Sequence, residues 1–275
     1  MRLRLAATAA IIVLGAGVAV AADAPATAPA PTTLQTMPTA PQGYLSDSAL
    51  NTLKILTPPP SVGGSREAND KAIFLETRKL EGSDRWKLAQ HDDDSAGILN
   101  DFSCAIGAVL TPTTAPKTWA LLMKMRFDVS RAVNQPKDVF QRKRPYLLFG
   151  GNICIAKTDL LAKSPDYPSG HVTWGFSTSL MLAEAVPDRA TEILVRGRAF
   201  GESRLVCGVH SFSAVEAGRT NAAVLMAALH GAPDFRSDVE GVHTEMASLR
   251  ASGAKPDPAA CTAEFALTAN PPFHP

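Results

Sequence analysis

The sequence is poor in aromatic residues and carries almost no net charge. Only 6% of its 275 residues are Phe, Trp or Tyr, and 27 Lys and Arg residues offset 26 Asp and Glu residues to a formal net charge of +1. A near-neutral chain gives no electrostatic reason to expect nucleic acid as a partner. Its 45% apolar content also excludes the disordered class. We therefore expect a globular protein with no nucleic-acid partner.

Long apolar runs are scarce as well. The main one, Leu5–Val20, follows basic residues at positions 2 and 4 and ends in the small-x-small triplet Ala19-Val20-Ala21. This pattern predicts a signal peptide at 1–21 that is cleaved on export, and a membrane anchor is the alternative. The later run 174–186 is too short to span a bilayer and includes Glu184. We expect a periplasmic or secreted chain with no stable membrane span after processing.

The remaining chain divides into two parts by composition. Residues 22–43 are mostly Ala, Pro and Thr, which predicts a flexible tether. Residues 44–275 have the size of one large domain. The sequence leaves the oligomeric state open, and a homo-oligomer remains possible.

Cysteines are few, and their number suits an oxidising compartment. The four residues, Cys104, Cys154, Cys207 and Cys261, fit two disulfides, for which three pairings are open. A zinc site is the alternative, but no Cys-x-x-Cys or Cys-x-x-His spacing occurs, so we do not expect these cysteines to bind zinc.

Strand-like alternation is nearly absent, and helical periodicity dominates, so the predicted fold class is all-α, a single-domain helical globule. A helix that begins at about Pro136 must end before Pro145, because proline disfavours helical structure at the residue before it. The other predicted helices are Glu67–Arg85, one from Pro116 with Leu122, Met125, Val129 and Val133 on one face, Val172–Val186, Asp188–Val206, Val215–His230 and Asp234–Ala251.

Three short blocks carry residues suited to phosphate chemistry. They are Lys137-x6-Arg144-Pro145, Pro168-Ser169-Gly170-His171 and Ser203-Arg204-x5-His210. Arginine and lysine neutralise the charge on a tetrahedral oxyanion, and a helix N-terminus supplies backbone N–H donors. One histidine can attack phosphorus while the other protonates the leaving oxygen. Each residue alone would more often be structural, but the ordered set predicts a phosphate site.

These blocks resemble the signature of the type 2 phosphatidic acid phosphatase superfamily, which also contains the vanadium haloperoxidases. The resemblance is closest to the bacterial class A non-specific acid phosphatases. It covers nearly the whole mature chain and extends to Pro58-Pro59-Pro60, Asn69-Asp70, Lys87-Leu88-Ala89, Tyr167 before the second block and the run 201–210. It implies the all-α fold of that family and metal-free, cofactor-free hydrolysis of small-molecule phosphate monoesters.

The resemblance also implies roles for single residues. Lys137, Arg144 and Arg204 would hold the phosphate oxygens, and Ser169 with the Gly170 N–H would complete the cradle. His171 would be the general acid, and His210 the nucleophile that forms a phosphohistidine. Cys154 and Cys207 fall where the family places cysteines, which favours the pairs Cys154–Cys207 and Cys104–Cys261.

One position departs from the family pattern. The family has an aspartate four residues after the nucleophilic histidine, where this chain has Ala214. Such an aspartate accepts the Nδ1–H of the histidine and fixes its tautomer, so its loss predicts impaired turnover. A backbone carbonyl or a water could substitute for it. Glu216 should point elsewhere, because it lies about 200° further round a helix.

Three other functions remain as alternatives. A non-enzymatic phosphate-binding pseudophosphatase would keep the cradle and lose turnover. A vanadium haloperoxidase would use the same three blocks, but this chain is short for one, and a membrane lipid phosphatase would need membrane spans. The run His91-Asp92-Asp93-Asp94 is predicted to be a solvated turn and not a cation site, because consecutive acids cannot all converge on one ion.

Overall fold

The computed structural model of the chain describes residues 42–273, and in that range it contains helices and no strand. The all-α prediction is confirmed. Short 3₁₀ turns occupy Thr52–Lys54 and Pro187–Arg189. The α-helices are α1 (Ser65–Arg78), α2 (Asp84–His91), α3 (Ile98–Asp101), α4 (Ser103–Ile106), α5 (Pro116–Phe140), α6 (Pro145–Phe149), α7 (Asp159–Lys163), α8 (Gly170–Ala185), α9 (Ala190–Cys207), α10 (Phe212–Leu229), α11 (Pro233–Ser252) and α12 (Pro258–Thr268).

Helix α8 lies at the centre of the fold, in contact with α5, α9, α10 and α11. Glycines allow its closest approaches. A Cβ on Gly175 of α8 would lie 2.2 Å from the ring of Phe200 in α9, and one on Gly218 of α10 would lie 2.9 Å from the carbonyl oxygen of Ser169. Both distances are too short for real atoms. Because Gly175 makes room for the Phe200 ring and Gly218 for the Ser169 carbonyl, α8 can pack closely against α9 and α10.

Two predicted boundaries were wrong. The predicted helix Glu67–Arg85 is two helices, α1 and α2, separated by a turn in which Gly82 has a φ of +79°. The side chain of Ser83 then caps α2 by accepting from the backbone N–H of Trp86. A glycine with positive φ is typical of the end of a helix, and a capping serine is typical of the start of the next one. The prediction from apolar periodicity did not take these two signals into account.

The helices predicted from Pro116 and from Pro136 are one helix, α5, which runs through Pro136. A proline inside a helix leaves the carbonyl four residues earlier without its N–H partner. Here that carbonyl, on Ala132, accepts from Thr52 Oγ1 at 2.7 Å and from Asn221 Nδ2 at 3.0 Å. These long-range bonds replace the missing one, so the helix continues. It ends at Phe140, and Arg144 is extended before Pro145 as predicted.

The later helices agree with the prediction to within a few residues, except that α10 begins at Phe212, where the side chain of Ser211 caps it. Two disulfides reinforce this part of the fold: Cys104–Cys261 joins α4 to the unpredicted α12, and Cys154–Cys207 joins a loop to the end of α9. Both favoured pairings are confirmed. Among residues 42–273, none of the helices has the length and hydropathy that a transmembrane span requires. The predicted signal peptide and most of the predicted tether lie outside the described residues.

Candidate active site

The three sequence blocks meet where the ends of several helices converge. Lys137 lies in the last turn of α5, Arg144 just before α6, His171 in the first turn of α8, and Arg204 in the last turn of α9. His210 lies in the short connection between α9 and α10. Since α8 packs on both α9 and α10, residues far apart in the sequence reach one place.

Two adjoining cavities contain these residues. One, of about 490 Å³, is lined by Arg144, His171, Arg204 and His210. The other, of about 400 Å³, is lined by Lys137, Gly170 and His171 together with apolar side chains of α5 and α8. Ser164 and His171 line both, so the cavities adjoin. Ser169 lines neither, because its hydroxyl accepts from the N–H of Val172 at 3.4 Å and caps α8.

The cationic side chains of the site are buried, and their donors are incompletely used. Arg144 donates to the carbonyl oxygens of Ser164 and Val209, each at 2.8 Å. Arg204 donates from one nitrogen to Asp93 at 2.7 Å, but its buried Nε and Nη1 have no partner in the described structure. A buried cationic donor without a partner is costly, and an anion in the cavity would satisfy it. Arg204 therefore points to an anionic ligand.

Burial also shifts the acid–base properties of these cations. It lowers the pKa of Lys137 to about 8, and the neighbouring positive charge of Arg144 adds to the effect. Burial likewise lowers the pKa of Arg144 and that of Arg204. Several positive charges in one apolar cavity destabilise one another, and a bound anion would relieve that repulsion. Lys137 meanwhile donates to the carbonyl oxygen of Pro165 at 2.6 Å.

The ring of His210 is held at both nitrogens. Nδ1 lies 2.8 Å from the carbonyl oxygen of Asp166 and 2.9 Å from the carboxylate oxygen Oδ1 of the same residue. Nε2 lies 3.2 Å from a guanidinium nitrogen of Arg144. Two acceptors face Nδ1 and a donor faces Nε2, so we assign the proton to Nδ1 and a free lone pair to Nε2. Burial, followed by the charge of Arg144, holds the pKa of His210 well below its ordinary value.

His171 is the second histidine of the larger cavity. Its Nε2 lies 3.0 Å from the carbonyl oxygen of Asp93, and its ring stacks on Phe200 with centroids 6.4 Å apart. Burial lowers the pKa of His171 to about 4, and the charge of Arg204 contributes in the same direction. The ring is thus neutral at mildly acidic pH unless a negative charge enters the cavity.

The run His91-Asp92-Asp93-Asp94 differs from its prediction. Asp92 is fully buried and pairs with Arg196 at 2.6 Å, and Asp93 pairs with Arg204, so the solvated-turn interpretation was wrong for these two residues. Arginines of α9 draw both carboxylates inward, which sequence spacing could not reveal. Asp94 is exposed. Between residues 42 and 273, no three His, Cys, Asp or Glu side chains cluster as metal ligands would.

Several buried polar residues at the site were missed from the sequence. Asp166 contacts His210, and Arg142 donates to Asp70 at 2.8 Å and lies 3.6 Å from Asp166. Their only sequence signal is nearness to the motifs, since Arg142 precedes Arg144 by two residues and Asp166 precedes Pro168 by two. Glu216 is exposed and pairs with Arg219 at 2.6 Å, away from His210 as predicted.

Several known proteins are similar in sequence to this chain. A family model described as the PAP2 superfamily matches residues 118–237. An acid phosphatase of Zymomonas mobilis subsp. mobilis is 40% identical over 235 residues, which cover 84% of this chain and 88% of that protein. The chain belongs to the PAP2 superfamily. The resemblance stated from the motifs is thereby confirmed.

Two further relatives of this PAP2 chain carry a more specific description. A non-specific acid phosphatase of Providencia stuartii is 37% identical, covering 75% of this chain and 86% of that protein. A non-specific acid phosphatase of Salmonella typhimurium is 35% identical, covering 73% and 82%. The similarity thus extends well beyond the segment that the PAP2 model matches.

Proposed function

We propose that this chain is an exported acid phosphatase that hydrolyses small phosphate monoesters through a phosphohistidine on His210. The observation that carries the proposal is the pair of unpartnered, buried guanidinium nitrogens of Arg204 in a cavity that also contains His171 and His210. Phosphate has several negatively charged acceptor oxygens, which form strong hydrogen bonds with guanidinium donors. The names of the relatives support the same activity.

In the proposed first step, Nε2 of His210 attacks phosphorus and the bond from phosphorus to the alcohol oxygen breaks. His171 gives its proton to the departing oxygen, so the alcohol leaves neutral. Arg144, Arg204 and Lys137 stabilise the negative charge on the remaining oxygens. Water then attacks the phosphohistidine, gives a proton to His171, and releases phosphate with His210 restored.

His171 must be protonated for this role, although burial and neighbouring cations lower its pKa to about 4. A bound phosphate dianion would bring negative charge beside the ring and raise that pKa. Binding of the substrate would thus favour protonation of His171, the proposed general acid. We infer that His171 takes up its proton when an anion binds.

The alanine at position 214 affects the turnover that we expect for this phosphatase. If no group replaced the family aspartate, the loss of an orienting carboxylate would slow turnover severely, by about 10⁴ in the serine-protease template. The pseudophosphatase alternative requires that outcome. It predicts tight binding of phosphate or vanadate without hydrolysis.

The deciding experiment is hydrolysis of p-nitrophenyl phosphate by the purified mature chain, with and without EDTA. We expect turnover that survives the chelator, competitive inhibition by vanadate, and no activity in His210→Ala. Loss of activity in EDTA with recovery in zinc would overturn the metal-free mechanism. Oxidation of bromide by peroxide with added vanadate would instead favour the haloperoxidase.

Export is tested separately, by the mass of the chain recovered from the periplasm or the medium. The predicted signal peptide implies the loss of about 21 residues, within the usual uncertainty of a cleavage site. A full-length chain that stays in the cytoplasm would contradict export without touching the chemistry.

A further inference from the structure

We propose that Asp166 is the positioning residue for His210 and supplies, from a different part of the chain, the carboxylate that Ala214 lacks. This inference rests on the proposed function, because it assigns the group that orients the proposed nucleophile. Asp166 lies 44 residues before His210, whereas the family position lies four residues after it.

Contacts on both sides of Asp166 fix its carboxylate against the ring. Oδ1 lies 2.9 Å from Nδ1 of His210 and accepts from the N–H of Ser211 at 3.1 Å. Oδ2 accepts from the Ser211 hydroxyl at 2.5 Å. The backbone N–H of Asp166 donates to the carbonyl oxygen of Arg142 at 2.7 Å. Main chain and side chain are therefore both anchored, as a group that orients another must be.

Hydrogen bonds and positive charges around Asp166 partly offset the cost of burying its carboxylate. Burial raises the pKa of Asp166 to about 6, while the Ser211 hydroxyl and the charge of Arg142 oppose that rise. Three cations face it: Arg142 lies 3.6 Å away, and Arg144 and Lys137 also interact with it across the site. Above about pH 6 the carboxylate is ionised, and a positive charge on His210 would extend that range downward.

No rival carboxylate in residues 42–273 hydrogen-bonds to His210. Ala214 is fully buried in an apolar cluster with Leu56 and Tyr167, and its carbonyl oxygen accepts from the N–H of Ser169. Glu216 is paired with Arg219. The carboxylate next to Nδ1 of His210 is therefore that of Asp166, and position 214, where the family has its aspartate, lies in an apolar cluster.

The backbone carbonyl and the carboxylate of Asp166 both face Nδ1 of His210, and they have different effects on the ring. Its backbone carbonyl, 2.8 Å from Nδ1, can hold the Nδ1–H tautomer by itself. Only the carboxylate brings a negative charge, which stabilises the positive charge that the imidazole gains as it becomes a phosphohistidine. Removing the charge should therefore slow formation of the intermediate and leave phosphate binding nearly intact.

The test is Asp166→Asn, with Asp70→Asn as the matched control. Asp70 is also buried and also pairs with Arg142, but it binds Ser213 and does not touch His210. For both variants we would measure kcat and KM with p-nitrophenyl phosphate, Ki for inorganic phosphate, the melting temperature, and the rate of phosphohistidine formation after rapid quenching.

We expect Asp166→Asn to lower kcat and the rate of phosphohistidine formation by about 10²-fold or more, because an orienting charge is lost. Ki for phosphate should change only a few-fold, and Asp70→Asn should lower the melting temperature with little effect on kcat. An active natural chain whose Asp166→Asn variant keeps its kcat would overturn the inference, as would equal losses of kcat in both variants. A natural chain without any turnover would instead overturn the proposed function.

A second measurement uses the unaltered protein and so does not depend on a variant that folds. In protein labelled with ¹⁵N-histidine, with signals assigned through single histidine substitutions, His210 should be protonated at Nδ1 and not at Nε2 near neutral pH. Its Nδ1 proton should exchange slowly and resonate downfield, as expected for a bond to a carboxylate in a buried site. Protonation at Nε2 would overturn the inference.

Discussion

Asp93 contacts two residues of the candidate site: its carboxylate lies 2.7 Å from Arg204, and its carbonyl oxygen lies 3.0 Å from Nε2 of His171. The carboxylate occupies a guanidinium nitrogen that an incoming phosphate could use. The Asp93 side chain is one-third exposed, so the carboxylate side of this ion pair is partly hydrated, whereas Arg204 is buried. If Arg204 binds phosphate as proposed, Asp93 and the substrate would compete for it.

We predict that Asp93→Asn tightens binding of inorganic phosphate. The removed charge competes for Arg204 and repels the ligand, and a partly exposed ion pair is worth up to about 1 kcal/mol, or about fivefold in affinity. Ki for phosphate measured against p-nitrophenyl phosphate should therefore fall by about two- to fivefold. Asp84→Asn is the control, because Asp84 is an exposed partner of Lys87. Weaker phosphate binding in Asp93→Asn would show that the carboxylate organises Arg204 and does not compete for it.

A second prediction concerns proton uptake. Burial, with the nearby charge of Arg204, lowers the pKa of His171 to about 4, and binding of a dianion should raise that pKa and draw a proton from solution. Sulfate is a suitable probe because it does not itself titrate near pH 5.5. Calorimetry in buffers of different ionisation enthalpy should detect uptake approaching about one proton per sulfate, and His171→Gln should abolish it. Binding without uptake in the natural chain would mean that another residue is the general acid.

The same histidine should make the folded state sensitive to acid. The pKa of His171 is about 4 in the folded chain, below the ordinary value of 6.5. The stability that its neutral form contributes is present above pH 6.5 and is lost as the pH falls through 4, because the unfolded chain binds the proton first.

Denaturant unfolding between pH 7 and pH 4 should therefore show a shallower pH dependence in His171→Gln than in the natural chain. One fully titrating group changes the slope by about 1.4 kcal/mol per pH unit. Comparing the two chains at each pH separates this effect from the opposite contribution of Asp166, whose pKa is raised to about 6. Parallel curves would mean that the pKa of His171 is the same in the folded and the unfolded chain.

The fourth prediction concerns Ala214→Asp. The motif comparison suggests that this change restores turnover, but Nδ1 of His210 already has the Asp166 carboxylate, and position 214 is packed against Leu56 and Tyr167. A new carboxylate there would be buried without a partner, which is costly. We expect no gain in kcat and a lower melting temperature. A gain of about 10²-fold would show that Asp166 does not do the work of the family aspartate.

Local signals sufficed for much of this architecture. Apolar periodicity located the long helices, and the three motifs named the cations and histidines that line the two cavities. Boundaries failed where a distant group decided them: α5 passes through Pro136 because Thr52 and Asn221 satisfy the carbonyl of Ala132. No pattern around Pro136 could indicate those partners.

The missed site residues have the same cause. Asp93 and Asp166 act on groups more than 40 residues away, and which carboxylate reaches which nitrogen depends on how α8, α9 and α10 pack. The family motif specifies the aspartate by its place in the sequence, so Ala214 indicated that a carboxylate is missing. A carboxylate can contact Nδ1 of His210 from any part of the chain that the fold brings close to it.

The Cys154–Cys207 bond lies at the middle of the segment that builds the site. Cys207 is three residues after Arg204 and three residues before His210, so one covalent link anchors the stretch that carries both. A chain still in a reducing compartment lacks that link. In the exported phosphatase that we propose, the segment from Arg204 to His210 would therefore gain its covalent anchor only when the disulfide forms.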